Sequence, residues 1–134
     1  MKNLLTIILF LFFAGCNTPG KVIMQTWKID DVIFLDSLNT FSQQQKLMIK
    51  NKLTTKGEFK FLRDSIYQIS NGNETVNGRW WLANGNKSLF TTTSQKTVES
   101  KIHELKKRSF KFESQGEVNQ SALFICSPVV TDRK

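Results

Sequence analysis

The sequence predicts a mainly-β fold: eight antiparallel strands closed into an up-and-down barrel, with one helix between strands one and two. Three observations carry this. Short runs with alternating apolar residues recur from Val22 onward. Turn signals such as Asn-Gly and Arg-Asp-Ser separate those runs. One stretch only, residues 40–53, lacks alternation and is rich in helix formers. Sequential strands with short connections pair antiparallel, and closure removes the exposed edges that an open sheet would present. A two-sheet sandwich is the alternative, and the regular meander favours the barrel.

The chain has 134 residues, enough for one domain with a real core. Residues 1–15, "MKNLLTIILFLFFAG", have a basic start, an apolar run from Leu4 to Phe13 and small residues at the end. That is the pattern of a secretory signal peptide, and the run is short for a membrane span. The expected organisation is therefore a leader at 1–15, a lipidated cysteine and tether at 16–21, and a barrel domain at 22–130.

The first strand is expected at about residues 24–36, with Trp27, Ile29, Ile33 and Leu35 on one face and Val32 and Phe34 on the other. The helix follows, started by a capping box of Thr40 with Gln43 or Ser42 with Gln45. Phe41, Met48, Ile49 and Leu53 can share its apolar stripe. After Gly57, "EFKF" puts Phe59 and Phe61 on one face. A turn is expected near Arg63-Asp64-Ser65 and a strand from Ile66 to Ser70. "RWWLA" is a strand ended by "NGN", whose residues tolerate positive φ. "KSLFTTTS", "TVESKIHEL", "SFKFES" and residues 120–127 complete the eight.

Two resemblances sharpen the reading. Phe13-Ala14-Gly15-Cys16 resembles a bacterial lipobox, in which the cysteine is acylated and becomes the mature first residue. The resemblance implies a lipid anchor at Cys16. No aspartate follows Cys16, which by the sorting rules of such lipoproteins implies the outer membrane facing the periplasm. The remainder of the chain resembles a bacterial lipocalin-like domain. The resemblance rests on Trp27, on "EFKF" followed by Asp64 and Tyr67, on Gly78-x-Trp80-x-Leu82, and on "FKF" at 110–112. It differs from lipocalins proper in having Gln25-Thr26-Trp27 where they carry Gly-x-Trp, and in having no arginine in "NQSALFICS"; Arg133 lies beyond Pro128. The resemblance implies a barrel whose interior is filled by side chains or holds one small ligand. Matching Gly78-x-Trp80-x-Leu82 to it places Trp80 and Leu82 inside and Arg79, Trp81 and Ala83 outside.

Candidate ligand-binding residues are the aromatics suited to an interior, Phe59, Phe61, Trp80, Phe110 and Phe112, together with Phe124. Arg63, Tyr67 and Gln68 are candidate polar anchors, with Tyr67 preferred because Gln68 must face the opposite way. The basic hairpin at Lys106, Lys107 and Arg108, with Lys101 and Lys111 near it, is either a solvated turn or a contact for anionic lipid headgroups or an acidic partner. Trp81, on the outer face, is the second surface candidate.

Composition argues against other classes. Of 19 basic residues one, Lys2, lies in the leader, leaving 18 against 11 acidic, a net +7. Nucleic acid is not an expected partner of an exported lipoprotein despite that charge. With Cys16 lipidated, Cys126 has no partner for a disulfide, and its apolar run "SALFICS" predicts a buried, inert thiol. The one histidine, His103, is read as an ordinary surface or rim residue. Acidic residues are scattered, and no phosphate loop or nucleophile elbow occurs, so neither a metal, a cofactor nor a catalytic residue is expected. The expectation is a non-enzymatic, membrane-anchored envelope protein that binds a small apolar or amphipathic ligand. The alternative is a solid barrel acting as a protein-interaction or inhibitor module in the periplasm.

Overall fold

Eight strands close into a single antiparallel barrel in chain order, with the last strand paired to the first. The computed structural model describes residues 18–35, 41–94, 96–115 and 121–130. The leader, Cys16 and Arg133 lie outside the described residues.

A short helix, α1 (Pro19–Ile23), precedes β1 (Thr26–Phe34). Part of the segment expected to be tether, residues 19–21, thus belongs to a helix whose last residue, Ile23, is fully buried. Proline at its first position suits a helix start, because the missing N–H has no intrahelical acceptor there. The Trp27 indole Nε1 donates to the Ile23 carbonyl at 3.0 Å and ties α1 across one end of the barrel.

Helix α2 (Gln43–Lys56) comes next. Of the two capping boxes the sequence offers, Ser42 with Gln45 forms. Ser42 Oγ accepts from the Gln45 N–H at 3.1 Å, and Gln45 Oε1 accepts from the Ser42 N–H at 2.9 Å. The helix lies along β1, held by Lys50 and Asp31 at 2.9 Å. Its stripe is thinner than expected. Leu53 packs on the core, but Met48 is largely exposed and no α2 residue is fully buried.

β2 (Glu58–Leu62) and β3 (Ile66–Ser70) flank a 3-10 turn at Arg63–Ser65, with Asp64 and Ser65 at φ near +60°. β4 (Thr75–Ala83) and β5 (Ser88–Thr92) join through Asn84, Gly85 and Asn86, all at positive φ, as the "NGN" signal predicts. β6 (Thr97–Lys106), β7 (Ser109–Gln115) and β8 (Ser121–Pro128) complete the barrel.

The faces of β1 require one correction. The register against β8 slips between Ile29 and Asp31, so Asp30 is an extra, bulged residue. The inward set is therefore Trp27 and Ile29 before the bulge, and Val32 and Phe34 after it, while Ile33 and Leu35 are exposed. An alternation carried unbroken through the bulge puts the second half of the strand inside out. A second bulge, at His103, interrupts β6, so Ile102 and Leu105, three residues apart, both face inward.

The barrel has two distinct ends. At the base lie α1, the Arg63–Ser65 turn and the β4–β5 and β6–β7 hairpins. At the mouth lie the β3–β4 and β5–β6 turns. The lower core is a packed aromatic group. Phe61 meets Trp80 edge-on at 5.7 Å and Phe110 at 6.0 Å, and Phe110 meets Trp27 at 5.3 Å. Burial of such rings dominates the stability of a small barrel.

Candidate functional site

Above that packed layer the interior is not filled. A cavity of about 220 Å³, partly open to solvent, occupies the half of the barrel towards the mouth. Its aromatic wall comes from β2, β3, β7 and β8: Phe59, Phe61, Tyr67, Phe112 and Phe124. Phe112 and Phe124 stack at 5.1 Å, and Phe59 meets both edge-on. The opposite wall comes from β5 and β6 and is smaller and more polar. It is built from Leu89, Thr91, Thr93, Val98 and Ser100, with Ser114, Ile69 and Lys96 near the rim. Small residues on two neighbouring strands leave the space that rings fill elsewhere.

Two buried hydroxyls face this cavity. Tyr67 is 7% exposed and Ser100 is 2% exposed. Neither side-chain oxygen has a hydrogen-bond partner among the described residues. Burial pushes the Tyr67 phenol above its ordinary range, with a smaller contribution from Cys126. A buried hydroxyl without a partner forfeits roughly 1–3 kcal/mol relative to a bonded one. The pair therefore marks where a hydrogen-bonding ligand would gain most.

Of the residues singled out from sequence, Phe59, Phe61, Tyr67, Phe112 and Phe124 come together around this cavity. Trp80 and Phe110 are buried but sit in the packed layer, where Trp80 Nε1 donates to the Leu62 carbonyl at 3.0 Å. Arg63 is not brought to the cavity. It opens the turn at the base, at the opposite end from the mouth, and is exposed. Gln68 pairs with Lys60 and Asn77 on the outer face, as alternation requires. The sequence reading leaves out Leu89, Thr91, Thr93, Val98 and Ser100. Their alternation in "SLFTTT" and "TVES" is a signal, but small residues on one face do not announce a cavity until the facing strands are known.

The surface candidates lie elsewhere. Trp81 is 42% exposed on the outer wall and stacks on Phe90. Lys106, Lys107 and Arg108 are exposed at the tip of the β6–β7 hairpin. Glu104 braces that hairpin. It accepts a short hydrogen bond from Ser109 Oγ and pairs with Lys106 at 3.2 Å and Lys111 at 3.7 Å. The Ser109 bond first, then Lys106, hold its carboxyl below the ordinary range. His103 stands outside the barrel with Nε2 3.2 Å from Glu113 Oε1 and does not reach the cavity. Cys126 is buried, and desolvation pushes its thiol up to about 12. Among the described residues no group of three or more His, Cys, Asp or Glu side chains is placed to hold a metal ion.

Helix α2 contributes nothing to the cavity wall. Its Gln43, Lys46, Leu47 and Lys50 instead line a separate open groove with Val32 and Phe34 on the inward face of β1. No protein-family model matches the chain, and no curated protein matches it.

Proposed function

We propose that this chain is a lipid-anchored, non-enzymatic protein of the bacterial cell envelope that holds one small amphipathic molecule inside its barrel. The observation that carries the ligand is the aromatic-walled cavity with two buried, unpartnered hydroxyls. A dry cavity of about 150 Å³ takes a benzene-sized guest, so this one suits a ligand core of roughly ten non-hydrogen atoms. That is below the roughly 300–1,000 Å³ of drug-sized sites. The apolar body lies against Phe59, Phe112 and Phe124, and a hydrogen-bond acceptor meets Tyr67 or Ser100. The anchor is supported by the lipobox-like residues 13–16, and the non-enzymatic reading by the distance of the one histidine from the cavity.

Titration of the purified full chain with 1-naphthol, followed by its fluorescence and by native mass spectrometry, tests the ligand site. Saturable binding of one molecule per chain, competed by octanoate and lost on filling the cavity by Thr91→Leu, is the expected result. Absence of saturable binding to folded protein, by either probe, would sink the proposal.

A further inference from the structure

We propose that the base of the barrel is a docking face for an anionic phospholipid surface, which points the mouth of the cavity away from the bilayer. The orientation rests on the anchored reading above; the docking face rests on its own observations.

The first is where the chain leaves the barrel. Helix α1 lies against the base, tied by Trp27 Nε1 to the Ile23 carbonyl. Gln25 Nε2 donates both to the Val22 carbonyl at 2.9 Å and to the Lys107 carbonyl at 3.2 Å. The N-terminal segment and the basic hairpin are thereby fastened to each other. Cys16 is two residues before Thr18, and two extended residues reach only about 7 Å. A lipid on Cys16 therefore brings this end of the barrel to the membrane.

The second is charge. The base displays Lys21, Arg63, Lys87, Lys106, Lys107 and Arg108. Facing them are Asp64, in the same turn as Arg63, and Glu104, whose carboxylate is already engaged by Ser109, Lys106 and Lys111. Lys107 and Arg108 form no ion pair among the described residues. The described β3–β4 and β5–β6 turns at the mouth carry only Glu74 and Lys96, and the lysines of α2 are spread along the helix, with Lys50 paired to Asp31 at 2.9 Å, so Lys106, Lys107 and Arg108 form the densest basic cluster. Each basic residue held near an anionic leaflet strengthens attachment about five-fold.

The third is an apolar belt on the lower outer wall. Leu62 and Ile66 are cross-strand neighbours and are 39% and 42% exposed. Ile66 pairs with Arg79, and two residues along β4 Trp81 stacks on Phe90 of β5. Aromatic and apolar side chains interleaved with arginine and lysine match the headgroup layer of a bilayer, which is apolar below and anionic above.

The test reconstitutes the full chain in vesicles of phosphatidylglycerol with phosphatidylcholine, and in phosphatidylcholine alone. Amine labelling of Lys106 and Lys107 is compared with labelling of Lys52 on α2. Expected on the anionic vesicles is an about five-fold or greater loss of labelling at the hairpin and none at Lys52, the factor one headgroup contact supplies. Brominated lipid should also quench Trp81, since Trp27 and Trp80 are buried. The triple substitution Lys106→Glu, Lys107→Glu, Arg108→Glu, on an exposed hairpin, should abolish the quenching difference between the two vesicle types. Equal labelling of hairpin and helix on anionic vesicles overturns the proposal, as does hairpin protection that appears only with a co-purifying acidic protein. A mass spectrum of the mature N-terminus reports separately on the anchor. A chain without lipid on Cys16 removes the anchored reading, and the docking face then stands or falls on salt-sensitive co-sedimentation with anionic vesicles alone.

Discussion

Trp81 and Phe90 stack across β4 and β5 on the outer wall, their ring centroids 5.3 Å apart and their planes within 2°. One residue earlier, Trp80 is buried and bonded through Nε1 to Leu62. Two adjacent tryptophans thus do different work, because a strand sends neighbours to opposite faces. Trp80→Ala should lower the unfolding free energy by about 3–5 kcal/mol, as large-to-small changes of buried rings do. Trp81→Ala should cost about 1 kcal/mol, the scale of one aromatic pair. Urea denaturation of both variants checks this; equal losses would show that the outer face is not free.

Gly78 lies two residues before Trp80 and has a separate constraint. A Cβ there would run into the carbonyl oxygen of Thr92 on β5, well inside contact distance. The obstacle is backbone, so it cannot swing away. Gly78→Ala should therefore destabilise by about 1–3 kcal/mol, the usual scale of overpacking. The effect should appear as a lowered melting temperature with an unchanged far-ultraviolet spectrum.

Tyr67 offers a way to separate stability from binding. Its hydroxyl is buried without a protein partner, so Tyr67→Phe removes a polar group that the ligand-free barrel does not satisfy. Ligand-free stability should stay level or rise by up to about 1 kcal/mol, while affinity for 1-naphthol falls. A variant that loses stability without ligand would show that the hydroxyl is bonded in the resting protein.

Alkaline pH should unfold the protein through its interior. Desolvation raises Cys126 to about 12 and raises Tyr67 as well. A group whose folded pKa is raised adds stability that is complete below its unfolded value and is lost as pH rises through the folded one. For the thiol the window runs from about 9.0, the unshifted value, to about 12. Chemical denaturation should show midpoints falling across that range, and Cys126→Ala should flatten part of the slope. At pH 8 the native thiol should resist iodoacetamide, and denaturant should expose it.

Much of the architecture was legible in the sequence, and for physical reasons. Asn84-Gly85-Asn86 can take positive φ cheaply, so its place as a hairpin was readable before any contact was known. Ser42 and Gln45 cap a helix through groups three residues apart, which is also local. The clean alternation of Phe59 with Phe61 and of Phe110 with Phe112 set their faces correctly. Arg63 shows the limit. Its charge type suited a ligand anchor, but its place in the base turn put it at the wrong end of the barrel.

The sequence by itself determined the eight strands, the single long helix, the turns and the opposite facing of Trp80 and Trp81, because each depends on residues a few positions apart. Tertiary structure decided the rest. Strand pairing introduced the bulges at Asp30 and His103, the first of which reversed the faces that alternation assigned to the second half of β1. It set the small residues of β5 and β6 opposite the rings of β2, β7 and β8, and so left a cavity at the mouth. It also folded α1 back onto the base beside Lys107, bringing the basic hairpin and the N-terminal segment to one end. Each of these is a juxtaposition of residues far apart in the chain, and only closure of the barrel creates it.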